Sequence, residues 1–287
     1  MIDQSGSMQD VIDPTNVTPL STPRVVDGRT YTHTANGRTK ANAVSDVINR
    51  FLMNLVLRCT REEGVRNFFD VGIIGYSGHG SSMKAGSVLG GALEDRDLVP
   101  ISDLANNPMR IEERNKKVED GSGGLVNQKV KFPIWIEPYA QGGTPMSSGF
   151  NIAKEILEKW VDAHSSSFPP ILINITDGEW TDNDPSGIVS QIRDLSTEDG
   201  NVLVFNIHFS ADGGKPIEFP DSEDILTNNF ARNLFQISSV LPAQVVSAAK
   251  ANGYQVNEFS RGFAYNADLT QLIQFIDIGT SNTQSLR

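Results

Sequence analysis

Asp3, Ser5 and Ser7 stand on alternate positions near the start of the chain. Thr144 follows the Gly142-Gly143 pair and precedes Pro145, and Asp177-Gly178 follows the apolar run 171–176. Together these residues offer two carboxylates and three hydroxyls, all hard oxygen donors, with no thiolate and no convincing imidazole among them. Such a set suits magnesium, with manganese or calcium as substitutes, and disfavours zinc and copper. Three of the five donors are neutral, so a bound divalent ion keeps net positive charge. A carboxylate supplied from elsewhere would fill its remaining position.

Other arrangements in the chain imitate known chemistry and fall short of it. Asp182-x-Asp184-x-Ser186-Gly187 opens like a calcium loop, but Pro185 intrudes and Arg193 stands where a bidentate Glu is required. Glu179, Asp182 and Asp184 therefore read as a solvated turn with a helix cap. Residues 75–82 follow an apolar run like a phosphate-binding loop, with Ser81 in place of the lysine that reaches the phosphates. Gly75-Tyr76-Ser77-Gly78-His79 comes near a hydrolase elbow, where the fifth residue should be Gly. A serine hydrolase built on Ser77 is one alternative activity, with His164 or His208 as its base. Each histidine reads more simply as structural, His164 in a Ser-rich loop and His208 in a buried strand, and His33 belongs to an inserted segment. The other alternative is a magnesium-dependent phosphohydrolase using Asp3, although Ser5 stands where its general acid would be a second Asp.

The three separated pieces, in this order, resemble the von Willebrand factor A domain with an intact metal-ion-dependent adhesion site. The matching phrases are Asp3-Gln4-Ser5-Gly6-Ser7, Gly142-Gly143-Thr144-Pro145 and Thr176-Asp177-Gly178, and the likeness extends over the core pattern from Lys40 to about Leu195. The resemblance implies that Ser5 and Ser7 ligate the ion directly. Asp3, Thr144 and Asp177 would bind it directly or through water, and a partner protein's Glu or Asp would complete the shell. It implies binding of proteins, with no catalytic residue, and a partner-facing rim at Gln4, Gly143, Gly178 and Glu179. Phe132-Pro133-Ile134-Trp135 and Ile175-Thr176-Asp177-Gly178-Glu179 look like free-standing bacterial versions. Some of those work beside Ser/Thr kinases and phosphatases, which makes such a system a candidate partner.

The elements that must position these residues alternate between helices and buried strands. Val44, Val47, Ile48, Phe51, Leu52 and Leu55 recur at steps of three and four, which predicts a helix from Lys40 to about Cys59. Residues 68–76 read as an interior parallel strand, 131–136 as a short strand, and 171–176 as the strongest strand of all. A helix is expected from Pro145 through Trp160, and another after Asp184-Pro185 carrying Ile188, Val189, Ile192 and Leu195. A strand over 202–209, a last strand over 235–241, a helix over 242–252 and a closing helix with Leu269, Leu272, Ile273 and Ile276 complete the order. The charged stretch 110–120 is read as a helix. Asp27-Gly28 and Asn36-Gly37 are hairpin-turn pairs. The alternation argues α/β architecture, a doubly wound, mostly parallel sheet with helices on both faces and ligands at the carboxyl ends of its strands.

With 287 residues the chain fits one or two domains, and metal residues spread from Asp3 to Asp177 leave no room for a boundary between them. We therefore read 1–287 as one domain, with insertions at about 10–39 and 78–130 and a C-terminal extension at about 210–287. If Asp3 closes the first strand, only two residues precede its end, against the usual five or six; a longer native chain is expected. Net charge is -11, from 24 Lys and Arg against 35 Asp and Glu. That balance repels nucleic acid and anionic lipid, and no apolar run is long enough for a membrane helix. The single cysteine, Cys59, forms no internal disulfide and fits a reducing, cytoplasmic compartment.

Overall fold

A computed structural model describes residues 1–26, 29–119, 125–210 and 215–279, with the backbone alone at 13–26, 29–36, 116, 118–119, 269 and 279. Seven α-helices lie among the described residues: α1 Lys40–Cys59, α2 Ile101–Asn106, α3 Met146–Ala163, α4 Ser186–Asp194, α5 Asn229–Ile237, α6 Ala243–Ala251 and α7 Leu269–Gly279. The start of α1 is fixed by a reciprocal cap. The Thr39 hydroxyl accepts from the Asn42 N–H, and Asn42 Oδ1 accepts from the Thr39 N–H, each at 3.2 Å. The apolar stripe of α1, with Val44, Val47, Ile48, Leu52 and Leu55, is buried as its spacing requires. Burial of each such side chain stabilises the fold by about 1.5–3 kcal/mol.

The helices accompany a seven-stranded, mostly parallel sheet. Its spatial order is Ile217–Glu218, Phe263–Ala267, Leu203–Phe209, Ile171–Thr176, Ile2–Asp3, Ile74–Ser77, Lys84–Ser87. The inner five run parallel, and the outermost strand at each edge pairs antiparallel. Although only two residues long, Ile2–Asp3 occupies the middle, with Ile2 beside both Ile175 and Gly75. Apolar side chains form two clusters. One gathers residues of α1, α2, α6 and α7, the other residues of α3, α4 and α5. A chain of buried polar groups crosses the sheet between strands. The Tyr76 hydroxyl donates to Asn174, Asn174 to Asn206, Asn206 to the Ser238 hydroxyl, and that hydroxyl to the Leu234 carbonyl. Each member is partnered, which is what makes its burial tolerable.

Expected and observed elements differ in several places. Residues 110–120 are not helical: Arg110–Glu119 pairs antiparallel with Leu125–Ile134 through ten residue pairs. Cross-strand partners use the charges there, Lys129 with Glu113 at 2.9 Å, while the Arg114 guanidinium lies over the Phe132 ring and reaches Asp46 of α1. The run 68–76 is not one strand. Asp70–Val71 pairs antiparallel with Val99–Pro100, and the sheet strand begins at Ile74 after a break at Gly72. Gly72 approaches the Asp97 carbonyl too closely to carry a Cβ. The Ile74–Ser77 strand also has one antiparallel neighbour, so it is parallel on one side only. Residues 235–241 are the end of α5 and an isolated bridge from Val240 to Arg261. Asn228 caps α5 at Ala231 N–H, and Phe230, Ala231, Leu234 and Phe235 are its buried face. The last sheet strand is instead Phe263–Ala267, which the sequence reading passed over.

The 10–39 insertion is a long hairpin, Val11–Val26 against Arg29–Thr39, with Val26 paired to Arg29. Asp27-Gly28 lies outside the described residues. Asn36-Gly37 is no turn, because both residues sit within the second strand, opposite Asn16 and Pro14.

Candidate metal centre

The strand order locates a crevice. Moving along the chain, the parallel strands are added first to one side of Ile2–Asp3 and then to the other, so the order reverses between Ile2–Asp3 and Ile171–Thr176. In open α/β sheets ligands bind outside the carboxyl ends of strands at such a reversal. Asp3 ends the first of these two strands and Asp177 directly follows the second.

The loop after Asp3 folds back over its own carboxylate. Asp3 is fully buried, its Oδ1 accepts the Ser5 N–H at 2.8 Å and its Oδ2 accepts the Thr176 hydroxyl at 2.7 Å. Residues Gly6–Gln9 then form a single 3₁₀ turn. That turn brings the hydroxyls of Ser5 and Ser7 within 3.0 Å of each other, and the Ser7 hydroxyl donates to Asp177 Oδ1 at 2.6 Å. Four of the five candidates, Asp3, Ser5, Ser7 and Asp177, are thus joined in one network.

Thr144 arrives through backbone contacts. Gln141 N–H donates to the Gln4 carbonyl and Gly6 N–H to the Gly142 carbonyl, which ties the second loop to the first. Gly142 has φ +75°, and a Cβ there would lie 2.7 Å from Gly78 Cα, so both the conformation and the space require glycine. Thr144 itself is buried. Its N–H donates to the Thr181 hydroxyl and its carbonyl accepts the Thr181 N–H, each at 2.9 Å. Of the rim candidates, Glu179 is exposed, Gln4 and Gly178 are half-buried, and Gly143 is buried with its backbone against His79 and Thr181.

The two carboxyls of this cluster, Asp3 and Asp177, repel each other. Burial first, and the Asp177 charge second, push the Asp3 carboxyl from 3.8 up to about 7 against the pull of its bonds from Ser5 and Thr176. Among the described residues no group of three or more His, Cys, Asp or Glu side chains is placed to hold a metal. A metal here would depend on hydroxyls as well as the two carboxylates. The donor chemistry fits a hard divalent cation: oxygens only, two of them carboxylates held close enough to repel.

Several participants were missed from the sequence. Thr176 orients Asp3. Asp182, read as part of a solvated turn before α4, instead accepts from Ser147 N–H, Ser148 N–H and the Ser148 hydroxyl at the start of α3, while Asp184 accepts from Ser186 N–H at the start of α4. Most consequential is Lys40, whose ammonium donates to Asp177 Oδ2 at 2.9 Å and to Asp10 Oδ2 at 3.0 Å. Burial works against that charge, and Asp177 and Asp10 more than offset it, so Lys40 is held protonated above its ordinary value. One signal was available in the sequence: a lysine in the first turn of a helix opposes the helix dipole and needs another reason to be there.

Ser77 closes its strand, nearly buried. The His164 ring stacks on Trp160 at the end of α3, and the His208 ring stacks on Tyr265. Cys59 is a free, buried thiol, and among the described residues no helix is long and apolar enough to cross a membrane. Comparison with known proteins finds no match: no family model, no curated protein and no solved structure corresponds to the chain.

Proposed function

We propose that the chain is a divalent-metal-dependent protein-binding module. In this reading Asp3, Ser5, Ser7, Thr144 and Asp177 hold magnesium, and an acidic side chain of a partner protein completes the shell. The observation that carries it is the link from half-buried Ser7 to Asp177 across the strand-order reversal, which joins carboxylates 174 positions apart in the chain into one oxygen cluster. The same reading follows from the resemblance to von Willebrand factor A domains. Bound there, the metal would supply a positive coordination position for a partner's carboxylate. The chain's own residues do the rest: Thr176 and the Ser5 N–H orient Asp3, the 3₁₀ turn presents both serines, and Gly142 lets the Thr144 loop approach. Gln4, Gly178 and the exposed Glu179 would form the rim that selects the partner.

The finer architecture belongs to this proposal. Two apolar clusters, each drawing on its own set of helices, support a doubly wound sheet covered on both faces. A reducing, cytoplasmic setting goes with the single cysteine Cys59, and a partner from a Ser/Thr kinase or phosphatase system goes with the family resemblance. Capture of partners from the native host by the purified chain, in magnesium and in chelator, tests the function. Binding is expected in magnesium alone and is lost in Asp3→Ala with the fold retained. Capture that persists unchanged in chelator overturns the proposal.

A further inference from the structure

Lys40 joins three parts of the molecule. It is the first residue of α1, its N–H donates to the Asp10 carbonyl at 2.9 Å, and its ammonium bridges the Asp10 and Asp177 carboxylates. Only 3% of its side chain is exposed, and the Asp177 side chain is fully buried. An ammonium placed against the positive end of a helix dipole and removed from water is costly unless carboxylates hold it. Both oxygens of Asp177 are engaged, Oδ1 by the Ser7 hydroxyl and Oδ2 by Lys40.

We propose that Lys40 is a tethered cation that competes with the divalent ion for the Asp177 carboxylate, so that the site binds its metal more weakly than its oxygen donors alone would. The inference rests on the metal-centre reading above. A carboxylate has lone pairs enough to serve both cations, so the two need not exclude each other. They do share its charge, and two cations on one buried carboxylate repel with little screening. Of the carboxylates Asp3 and Asp177 that face the site, Lys40 neutralises the one that also meets Ser7. Asp10, at the base of the 11–39 hairpin, takes part of the ammonium's charge and so moderates the competition. A purely structural lysine would behave differently. Its removal would loosen α1 and leave metal affinity unchanged or reduced.

Manganese titration of the full chain, read from the electron paramagnetic resonance signal of the free ion, separates these roles. Lys40→Met is expected to tighten manganese binding by about tenfold or more. Its thermal midpoint should be lower than wild type in chelator and should gain more on adding manganese. Lys40→Arg, which keeps the charge, should bind within about threefold of wild type. Equal or weaker binding by Lys40→Met overturns the competition and leaves the metal reading standing. Absence of saturable binding in both wild type and Lys40→Met overturns the two together. Should Lys40→Met not fold even with manganese, Asp10→Asn carries the test, because it leaves the ammonium undivided on Asp177. Its manganese binding should then weaken by about threefold or more, and unchanged affinity overturns the inference.

Discussion

Asp3 carries the plainest consequence of building this cluster. A carboxyl moved from 3.8 in water to about 7 in the fold binds its proton more tightly folded than unfolded. Linkage then fixes the sign: the stability tied to this group is fully present below pH 3.8 and is lost as pH rises through about 7. In chelator at neutral pH, the partly ionised Asp3 carries a cost to the native state that it lacks in acid. Asp3→Asn removes that cost. Urea unfolding in chelator should find Asp3→Asn more stable than wild type at pH 7, with the difference closing as pH falls towards 4. Added magnesium should restore wild type and not the variant. A difference that stays constant over that pH range would contradict the account of Asp3.

At the scale of elements, the long hairpin and the helix it feeds make a joint. Among the described residues, Val11–Val26 and Arg29–Thr39 pair only with each other, outside the seven-stranded sheet. The base of the hairpin is closed where Lys40 meets Asp10. Replacing residues 14–37 by Asn-Gly, a pair suited to a two-residue hairpin turn, keeps Asp10, Ile12, Thr39 and Lys40. The shortened chain should unfold cooperatively near the wild-type midpoint and bind magnesium with wild-type affinity, as circular dichroism and calorimetry would show. Loss of metal binding would mean the hairpin supports the site beyond its base. Helix α1 was legible because its stripe recurs at helical spacing, and Ile171–Thr176 because it is a continuous apolar run. The Phe263–Ala267 strand was not: its alanines and Asn266, which takes φ +53°, carry no strand pattern, and pairing with Leu203–Phe209 decides its state. The Arg110–Glu119 strand was misread because charges spaced along it suit a helix surface equally well, and the strand it pairs with, Leu125–Ile134, is a separate stretch of sequence. At the site, the meeting of Asp3, Ser5, Ser7 and Asp177 in one network was legible from residue type and order. Thr176 was not, and Lys40 only as a cation oddly placed at a helix start, because their roles depend on which loops the sheet brings together.

Over the whole molecule, the five metal-site candidates come from three stretches that meet at the carboxyl edge of a sheet whose order reverses between their strands. The surrounding chain has a net charge of -11, a field that attracts cations and disfavours anionic partners except where a metal inverts the local sign. The five candidate donors include no His or Cys, so the proposed ion would rest on oxygens alone. Calorimetric titration of the purified chain with magnesium, wild type beside Asp3→Ala and Thr144→Ala, is therefore the most direct measurement. The account predicts saturable binding of one ion per wild-type chain and none in either variant, with the circular dichroism of all three alike. A wild-type chain that shows no saturable binding at millimolar magnesium, or an Asp3→Ala chain that binds as well as wild type, would contradict it.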